Sequence, residues 1–531
     1  MGQHWNPVLP GDFPQNDIVR VGTTYYMATT SMHFYPGCTL LVSRDLIHWK
    51  IQGHVFTSLE NSSGEMLEQE SNLYGKGFRV GGLTYREGSF YLFGASRGTQ
   101  KAYIFHATAF GGPWSKISLD RYYHDGSLVF DEDGTPFVCH GYDEIRLTEF
   151  RKDLTGAADN GLDVIIYRDP DKRFYSYGGA HIMKKNGKIY IFFTIWSQSG
   201  GAERHHMCYM SDRWQGPYAC REMLMPDREM PPYQRVALGG IVDTPDGRWY
   251  GMMTQGHEGI GRMPFLVPID FRNPFPVVAE SGVLPEQPDL PPGETPEQNL
   301  FGSDSFESRD LMPAWQWNHM PDNRLWEIEK GGGLRITSGK ISINLLQARN
   351  TLTQRMHYPY SEAEIRVDGS DMYNGDVAGL CALISGYGFV GLTRENGKYY
   401  VIMGARDVRN TPIRDKLFDY MPGKEYERIP VRDPRVTFRL SADFGKKAGT
   451  AEFFFKPTEE NGRDSAAYLY RKDEEELVGG WHKVGITHKI TYNPIHFAGC
   501  RYGLFLYSTK DIGGSVLFQQ FRYYRKRDRT E

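Results

Sequence analysis

The sequence predicts an all-β chain in which a five-bladed β-propeller is followed by a β-sandwich. Three observations carry this prediction. Five hairpin patterns precede residue 285, a proline-rich segment follows them, and a second series of short alternating strands runs to the C-terminus. A chain of 531 residues is too long for one hydrophobic core, and its aromatic content of 14% favours β-structure in at least two domains.

Each predicted hairpin has an alternating apolar run, a turn centred on glycine, and a run rich in aromatic and β-branched residues. Glycine suits such a turn because it adopts positive φ without steric cost. The turn glycines are Gly22, Gly88, Gly134, Gly187 and Gly247. Their unequal spacing is typical of blades that carry loops of different length. In a propeller the strand that begins each hairpin lies beside the central axis, so the candidate site is at these five starts.

A second repeat supports the blades. Residues 42–50 (VSRDLIHWK), 107–116 (ATAFGGPWSK) and 210–221 (MSDRWQGPYACR) each place a small or polar turn before an aromatic residue. This pattern is typical of the outer strands of a blade, so it indicates structure rather than a site.

The domain boundary is predicted at the proline-rich segment. Residues 285–297 contain five prolines, and proline lacks the N–H that a sheet ladder needs. We therefore expect the propeller at 1–284, a linker at 285–299 and the sandwich at 300–531. In the last part, runs such as 361–369 (SEAEIRVDG) and 501–510 (RYGLFLYSTK) alternate with period 2, as in a two-sheet sandwich.

Charge and cysteine usage exclude several function classes. The 61 basic and 65 acidic residues give a net charge of −4, which indicates neither a nucleic-acid nor a membrane surface. The six cysteines are scattered singly, which favours free buried thiols over disulfides or zinc. The sequence has neither an N-terminal signal-like segment nor a long apolar run. These features predict a soluble protein, either cytoplasmic or secreted or periplasmic after removal of a signal.

Several segments together identify a family. They are 6–22 (NPVLPGDFPQNDIVRVG), 124–134 (HDGSLVFDEDG), 239–253 (GGIVDTPDGRWYGMM) and 315–323 (WQWNHMPDN). The chain resembles glycoside hydrolase family 43, the xylosidase and arabinofuranosidase family, with its C-terminal concanavalin-like sandwich. The resemblance implies an active site at the mouth of the propeller axis that cleaves terminal pentose units of plant oligosaccharides or polysaccharides with inversion. The resemblance implies that the activity requires no cofactor. It also allows a structural calcium ion near the axis, but the sequence does not identify the metal ligands.

The family uses three acidic residues, and only one matches here. Asp125 corresponds to the blade 3 aspartate that tunes the acid and orients the substrate. Gln15 stands where the blade 1 general base is expected, and Gly178 stands where the blade 4 general acid is expected. Ala237 occupies the place of a histidine associated with the central site. Arg262, which contacts the substrate in the family, is present.

Other carboxylates are candidate substitutes for the missing pair. Period 2 places Asp17 on the same face as Gln15, where it could act as a base; the alternative is a turn cap or a pair with Arg20. Glu70 ends an acidic cluster that also suits a solvated loop. Glu203 lies in 200–206 (GGAERHH), whose adjacent histidines point to opposite faces of a strand and are not a metal pair.

The remaining candidate residues would bind the sugar. His181 follows the blade 4 motif, and His257 lies shortly before Arg262 at the expected rim. Aromatic and apolar side chains would form a stacking surface for the sugar ring. The candidates for this surface are His33, Phe34, Phe78 and Trp196.

Four hypotheses follow. The leading one is an exo-acting pentosidase with altered catalytic residues. The second is a catalytically silent sugar-binding propeller that keeps Asp125 and Arg262. The third is a protein whose catalytic pair was deliberately replaced, which the wider divergence around Gly178 and Ala237 disfavours. The fourth is a hydrolase of another sugar or linkage that uses substitute carboxylates.

Overall fold

A computed structural model describes residues 6–169, 174–197, 204–223, 236–272, 274–278, 299–406, 421–445, 449–457, 480–493 and 496–525. Nearly all regular structure in these ranges is β-strand, which confirms the all-β prediction. Two short 3₁₀ turns occur there, at Glu258–Ile260 and Leu345–Gln347. No described helix is long and apolar enough to cross a membrane.

The first half of the chain forms five antiparallel sheets, which confirms the five-bladed propeller. Blade 1 and the loop inside it contain β1 (Asn16–Val21), β2 (Thr24–Thr29), β3 (Phe34–Tyr35), β4 (Gly37–Ser43) and β5 (Lys50–Phe56). Blade 2 contains β6 (Phe78–Arg86), β7 (Ser89–Ser96), β8 (Lys101–Ala107) and β9 (Ser115–Ser118). Blade 3 contains β10 (Ser127–Phe130), β11 (Pro136–His140), β12 (Glu144–Glu149) and β13 (Asp163–Arg168).

The last two blades complete the propeller. Blade 4 contains β14 (Phe174–Lys185), β15 (Lys188–Ser197), β16 (Arg204–Ser211) and β17 (Ala219–Met223). Blade 5 contains β18 (Val236–Ala237), β19 (Ile241–Asp243), β20 (Trp249–His257), β21 (Gly261–Arg272) and β22 (Phe275–Val278). Strands β18 and β19 both pair with β20, so they share the innermost position of this blade.

The predicted turn glycines join the first two strands of the five hairpins. Their φ angles are +63° at Gly22, +81° at Gly88, +87° at Gly134, +73° at Gly187 and +85° at Gly247. An L side chain rarely adopts these angles, so glycine fixes each turn. The second repeat lies where the third and fourth strands of blades 1, 2 and 4 meet, at the outer edge as predicted.

The innermost strands pack closely around the axis. Strand β6 contacts β1 on one side and β10 on the other, and β10 also contacts β14. A Cβ atom added to Gly81 on β6 would lie 1.7 Å from the carbonyl oxygen of Gly126, just before β10. Glycine at 81 therefore permits the approach that places the starts of blades 2 and 3 beside each other.

The C-terminal part forms two packed sheets. Its strands are β23 (Gln316–Asn318), β24 (Trp326–Ile328), β25 (Leu334–Thr337), β26 (Leu352–Arg355), β27 (Tyr360–Asp368), β28 (Asp376–Leu383), β29 (Gly388–Glu395), β30 (Lys398–Ala405), β31 (Lys424–Val431), β32 (Arg435–Asp443), β33 (Gly449–Pro457), β34 (His482–Lys483), β35 (His488–Ile490), β36 (Arg501–Ser508) and β37 (Ser515–Tyr524). One sheet has the order β3-β23-β26-β36-β28-β29-β30-β31, and the other is centred on β37, β27 and β32. A large apolar core separates the two sheets.

The propeller and the sandwich share a sheet. Strand β3 lies within the blade 1 segment, yet it pairs with β23 of the sandwich, with Tyr35 opposite Trp317 and Phe34 opposite Asn318. Buried apolar residues from both parts extend this contact, including Leu67 and Tyr74 beside Leu345 and Phe389. Residues 279–298, which contain most of the predicted linker, lie outside the described residues, so its bounds stay a prediction. All six cysteines are free thiols, and Cys220 alone is exposed.

Candidate functional site

Asp125 lies at the axial start of blade 3, two residues before β10. Its backbone has φ +41° and its side chain is 8% exposed. Oδ2 accepts a hydrogen bond from the Gly179 N–H at 3.1 Å and lies 3.6 Å from His124 Nε2, while Oδ1 is buried without a partner in the described chain. Burial opposes ionisation, but His124, Arg79 and the Gly179 N–H outweigh it and lower the pKa of Asp125. Asp125 is therefore a carboxylate at neutral pH.

Asp17 is the second residue of β1, and its carboxylate is tied into the fold. The period-2 alternation with Gln15 does not apply, because Gln15 precedes the strand with φ +42°. The Asp17 side chain is 2% exposed. Oδ1 accepts from the Ile18 N–H at 2.9 Å and lies 3.3 Å from His181 Nδ1, and Oδ2 accepts from the Leu83 N–H at 2.7 Å. The alternative of a pair with Arg20 is wrong, because Arg20 Nε donates to Asp243 Oδ1 at 3.0 Å. These contacts favour a structural role that joins blades 1, 2 and 4.

His181 lies on β14 opposite Phe192 and is oriented by Asp17. Burial lowers its pKa, but the Asp17 carboxylate more than compensates, so the pKa of His181 is raised above its ordinary value. Nε2 is buried and has no partner among the described residues. That nitrogen is free to contact a ligand.

Gln15 immediately precedes β1, with φ +42°. Its carbonyl accepts from the Thr30 N–H at 3.3 Å and the Thr30 hydroxyl at 3.2 Å. The same hydroxyl accepts from the Val80 N–H at 2.9 Å, which connects Gln15 to β6. The side-chain oxygen Oε1 is buried without a partner in the described part of the chain.

Gly178 lies beside Asp125 because β14 is irregular there. Gly178 pairs with Thr194 on β15, and the register shifts between Gly178 and His181. Gly179, inside this bulge, has φ +64° and donates its N–H to Asp125. Glycine at position 178 supplies no proton donor.

Arg262 and Arg79 meet at the ring of Phe497, a residue of the sandwich. The Arg262 guanidinium carbon lies 3.6 Å from the ring centroid, and that of Arg79 lies 4.1 Å from it. The backbone N–H of Arg262 donates to Asp12 Oδ1 at 2.9 Å. Nε is buried without a described partner in both arginines. Sequence reasoning missed Phe497, because no local pattern indicates that a loop between β35 and β36 contacts blades 2 and 5.

A cavity of about 690 Å³ adjoins Asp125 through His124. Its walls come from the end of blade 2 and the axial loops of blade 3. The lining residues used below are Arg97, Tyr122, His124 and Tyr142. The volume falls within the range of small-molecule sites.

Three expected stacking residues are buried in packing contacts, so that expectation is wrong for them. His33 and Phe78 are 0% exposed and Phe34 is 1% exposed. Arg501 lies 3.5 Å from the Phe34 ring, and Phe78 packs against Phe56. Their faces are occupied by protein, so no sugar can stack on them. The side chain of Trp196 and all of Glu203 lie outside the described residues.

The acidic cluster before Tyr74 lies at the boundary between the domains. Glu68 Oε1 accepts from Arg349 Nη1 of the sandwich at 2.6 Å, and buried Glu65 accepts from the Leu59 N–H at 2.8 Å. Glu70 is exposed at φ +60° two residues after Glu68. His257 ends β20, with its ring 5.3 Å from that of Tyr358 in the sandwich. Its pKa is lowered by burial.

The structural calcium ion that the resemblance allows stays an expectation. Within the described ranges, no three His, Cys, Asp or Glu side chains are grouped as a metal site requires. Both Asp17 oxygens already accept backbone N–H groups, and Ala237 offers no side-chain ligand. No step of the chemistry below involves a metal.

Substitution of Asp17 is expected to reduce stability. In Asp17→Asn the amide NH₂ faces a backbone N–H in place of an oxygen, so we expect a loss of about 2–3 kcal/mol in the free energy of unfolding. Urea titration measures this loss. Asp243→Asn is the control and should cost about 1 kcal/mol or less, because the Asp243–Arg20 ion pair is partly exposed. An Asp17→Asn protein with unchanged stability and lost turnover would instead identify Asp17 as a catalytic base.

Comparison with known proteins identifies the family. The model for glycosyl hydrolases family 43 matches residues 4–276, and that for the beta xylosidase C-terminal concanavalin A-like domain matches 303–524. A beta-xylosidase of Formosa agariphila is 26% identical over 88% of this chain and 89% of its own length. A non-reducing end alpha-L-arabinofuranosidase of Bacteroides ovatus is 25% identical over 78% of this chain and 79% of its own.

The fold is also found in solved structures. A bifunctional GH43-CE protein of Bacteroides eggerthii has a TM-score of 0.86 and 31% identity over 98% of this chain, which spans 63% of that protein's length. The expected resemblance is thus confirmed in both halves of the molecule. Since the first model matches more than half of the sequence, the chain belongs to glycosyl hydrolases family 43 and is of the glycosidase class.

Proposed function

We propose that this protein is an exo-acting, inverting glycosidase that removes terminal xylose or arabinose units from plant oligosaccharides with an altered set of catalytic residues. One observation carries the sugar site: buried polar atoms without described partners lie on or just before the inner strands of blades 1 to 4 and at the beginning of β21 in blade 5. They are Gln15 Oε1, Arg79 Nε, Asp125 Oδ1, His181 Nε2 and Arg262 Nε. Buried polar groups are normally hydrogen-bonded, and a polyhydroxylated ligand would supply these bonds.

Pentose specificity is supported by the related proteins. The Formosa protein is a beta-xylosidase and the Bacteroides ovatus protein is an alpha-L-arabinofuranosidase. Both align with most of this chain. The proposal requires no cofactor.

The chemistry follows from what each axial side chain can do. Inverting hydrolysis needs a carboxylic acid that protonates the leaving oxygen and a carboxylate that activates water. The Gln15 amide can orient water through Oε1 but cannot accept its proton. Asp125 is ionised and its free Oδ1 can accept a hydrogen bond, whereas Gly178 provides no acid. The site therefore favours substrates whose leaving group departs without protonation.

Aryl xylosides test this proposal. We expect weak turnover of 4-nitrophenyl xyloside and 4-nitrophenyl arabinofuranoside, rising steeply as the leaving phenol becomes more acidic. Asp125→Asn should lower the residual rate by about 10²–10⁴-fold, because it removes the axial carboxylate that has an oxygen without a described partner. Release of the phenol over days measures the rate, and Asp131→Asn, outside the axis, is the control. Rates usual for glycosidases with alkyl leaving groups would contradict the altered site.

A silent sugar-binding propeller is the second candidate, favoured by the missing side chain at Gly178. It predicts that xylose or arabinose binds while no activated aryl glycoside is hydrolysed. A hydrolase of another sugar with substitute carboxylates predicts turnover of aryl hexosides in the same assay.

A further inference from the structure

Positive charge exceeds negative charge around Asp125. The charged groups that act on Arg79 are the Asp125 carboxylate and two further guanidinium groups, Arg97 and Arg262. Asp12 and Asp17 are further carboxylates nearby, but Asp17 is paired with His181, and Asp12 accepts from the backbone N–H groups of Arg262 and Gly499. Among the groups that act on Arg79, two guanidinium groups thus oppose the Asp125 carboxylate.

The Arg79 side chain makes no hydrogen bond or ion pair with any described residue. Its Nε is buried, and its contact is the face of Phe497. Burial lowers its pKa, and Arg97 and Arg262 act in the same direction, against Asp125. A desolvated guanidinium without an acceptor is costly, and so is its closeness to two like charges. An anionic ligand would remove both costs.

Of the three cations, Arg97 lines the cavity that adjoins Asp125 through His124, whereas Arg79 and Arg262 lie outside its lining. Arg97, Tyr122 and His124 line it, and Tyr122 also lies close enough to Arg79 to act on its charge. Tyr142 is 45% exposed there and offers a ring face for stacking. Two acidic residues also line the cavity: Asp143, which is exposed, and Glu144, which is paired with Arg146 and Arg168.

We propose that the site takes a sugar residue that carries a carboxylate, a hexuronic acid, with this carboxylate bound by Arg79 and facing Arg97 and Arg262. The planar guanidinium fork matches a carboxylate, and its hydrogen bonds to an anion are among the stronger ones in proteins. The inference deepens the proposed function. It depends on that function in one respect, namely that the ligand of the axial site is a sugar.

Calorimetric titration of the full chain tests the inference. Methyl glucuronide and methyl galacturonide should bind about 10–100-fold more tightly than methyl xyloside and methyl glucoside, the range of a charge-assisted hydrogen bond. Salt at 0.5 M should reduce this preference, because it screens charges. Sodium acetate should bind far more weakly than the uronides; equal binding would mean that only a carboxylate is recognised, which overturns the proposal.

Two variants locate the preference. Arg79→Met should abolish the preference for uronides. Because Arg79 Nε is also one of the atoms of the sugar site, methyl xyloside binding should weaken too, but by much less than uronide binding. Exposed Arg97→Met should reduce the preference in part. Arg86→Met is the matched control, because Arg86 is on the same strand but its guanidinium pairs with Glu87. Thermal unfolding verifies that each variant is folded.

The outcomes separate this inference from the proposed function. If methyl xyloside binds or aryl xylosides turn over, and the uronides bind no better, the inference is overturned and the proposed function stands. If both Arg79→Met and Arg97→Met still bind the uronides more tightly than the neutral sugars, the assignment of the carboxylate to these arginines is overturned. If no sugar binds, both proposals fail.

Discussion

The double variant Gln15→Asp/Gly178→Glu is expected to hydrolyse pentosides with poor leaving groups about 10²–10⁴-fold faster than the natural protein. It places a carboxylate where β1 begins and another beside Asp125, where the Gly179 N–H already contacts Oδ2. An inverting pair requires a separation of roughly 6.5–9.5 Å, so that a water molecule fits on the face opposite the leaving group. The measurement is kcat/KM with methyl xyloside and xylobiose.

The single variants are its controls. Gln15→Asp alone supplies a base, so it should raise the rate of hydrolysis of aryl xylosides. Hydrolysis of methyl xyloside should remain slow, because no group protonates its leaving oxygen. Gly178→Glu alone should change little without an activated water. Thermal unfolding shows whether a buried side chain at 178 is tolerated. A folded double variant with no gain on any pentoside would mean that the pocket serves a different ligand.

The largest expected effect on stability is acid destabilisation through buried histidines at the domain interface. His33 of the propeller lies 4.9 Å from His319 and 5.0 Å from His496 of the sandwich, measured between ring centroids. Neither ring nitrogen of His33 has a described partner. The charged groups that act on the cluster are cations: Arg501 on His33, Lys340 on His319, and Arg406 and Arg501 on His496.

Burial and these cations lower the pKa of each histidine. The pKa of His496 is lowered to about 3, as is that of His54 beside Arg355, and those of His33 and His319 lie well below the ordinary value. Between the ordinary pKa of 6.5 and the folded one, the unfolded chain binds protons that the folded chain excludes. Stability is therefore full above about pH 6.5 and falls as the pH decreases.

The size of the effect follows from the shift. Each unit of pKa difference corresponds to about 1.4 kcal/mol, so at pH 4.5 His496 and His54 should each cost about 2–3 kcal/mol. The free energy of unfolding of a domain is about 5–15 kcal/mol, so a few such histidines are enough to unfold the protein at low pH. Urea unfolding between pH 7.5 and 4.5 measures the loss.

His496→Leu tests the assignment, because a side chain that cannot titrate should reduce the difference between the two pH values by about 2–3 kcal/mol. His106→Leu is the control, since His106 is a half-buried histidine on β8 outside the cluster. Equal pH dependence in His496→Leu and the natural protein would contradict the prediction. The absolute stability of the variant does not enter, since only its change with pH is compared.

The all-β class, the propeller and its five hairpin turns could be predicted from the sequence because they depend on local rules. Alternation with period 2 sets which side chains face the core, and positive φ restricts each turn to glycine, as at Gly22 and Gly187. The expectation that Gln15 and Asp17 share a face rested on the same alternation, which the positive φ of Gln15 interrupts.

The tertiary structure alone decided which side chains are available to a ligand. Burial depends on contacts between residues far apart in sequence, so the aromatic pattern could not show that Phe34 is covered by Arg501 or that Phe78 lies inside the core. Likewise, Asp17 looks like any strand carboxylate until the Leu83 N–H and His181 are seen beside it. Phe497 reaches Arg79 and Arg262 only because the sandwich packs on the propeller. Local periodicity thus determined the blades and their axis, whereas long-range packing determined the polarity and the charge of the site.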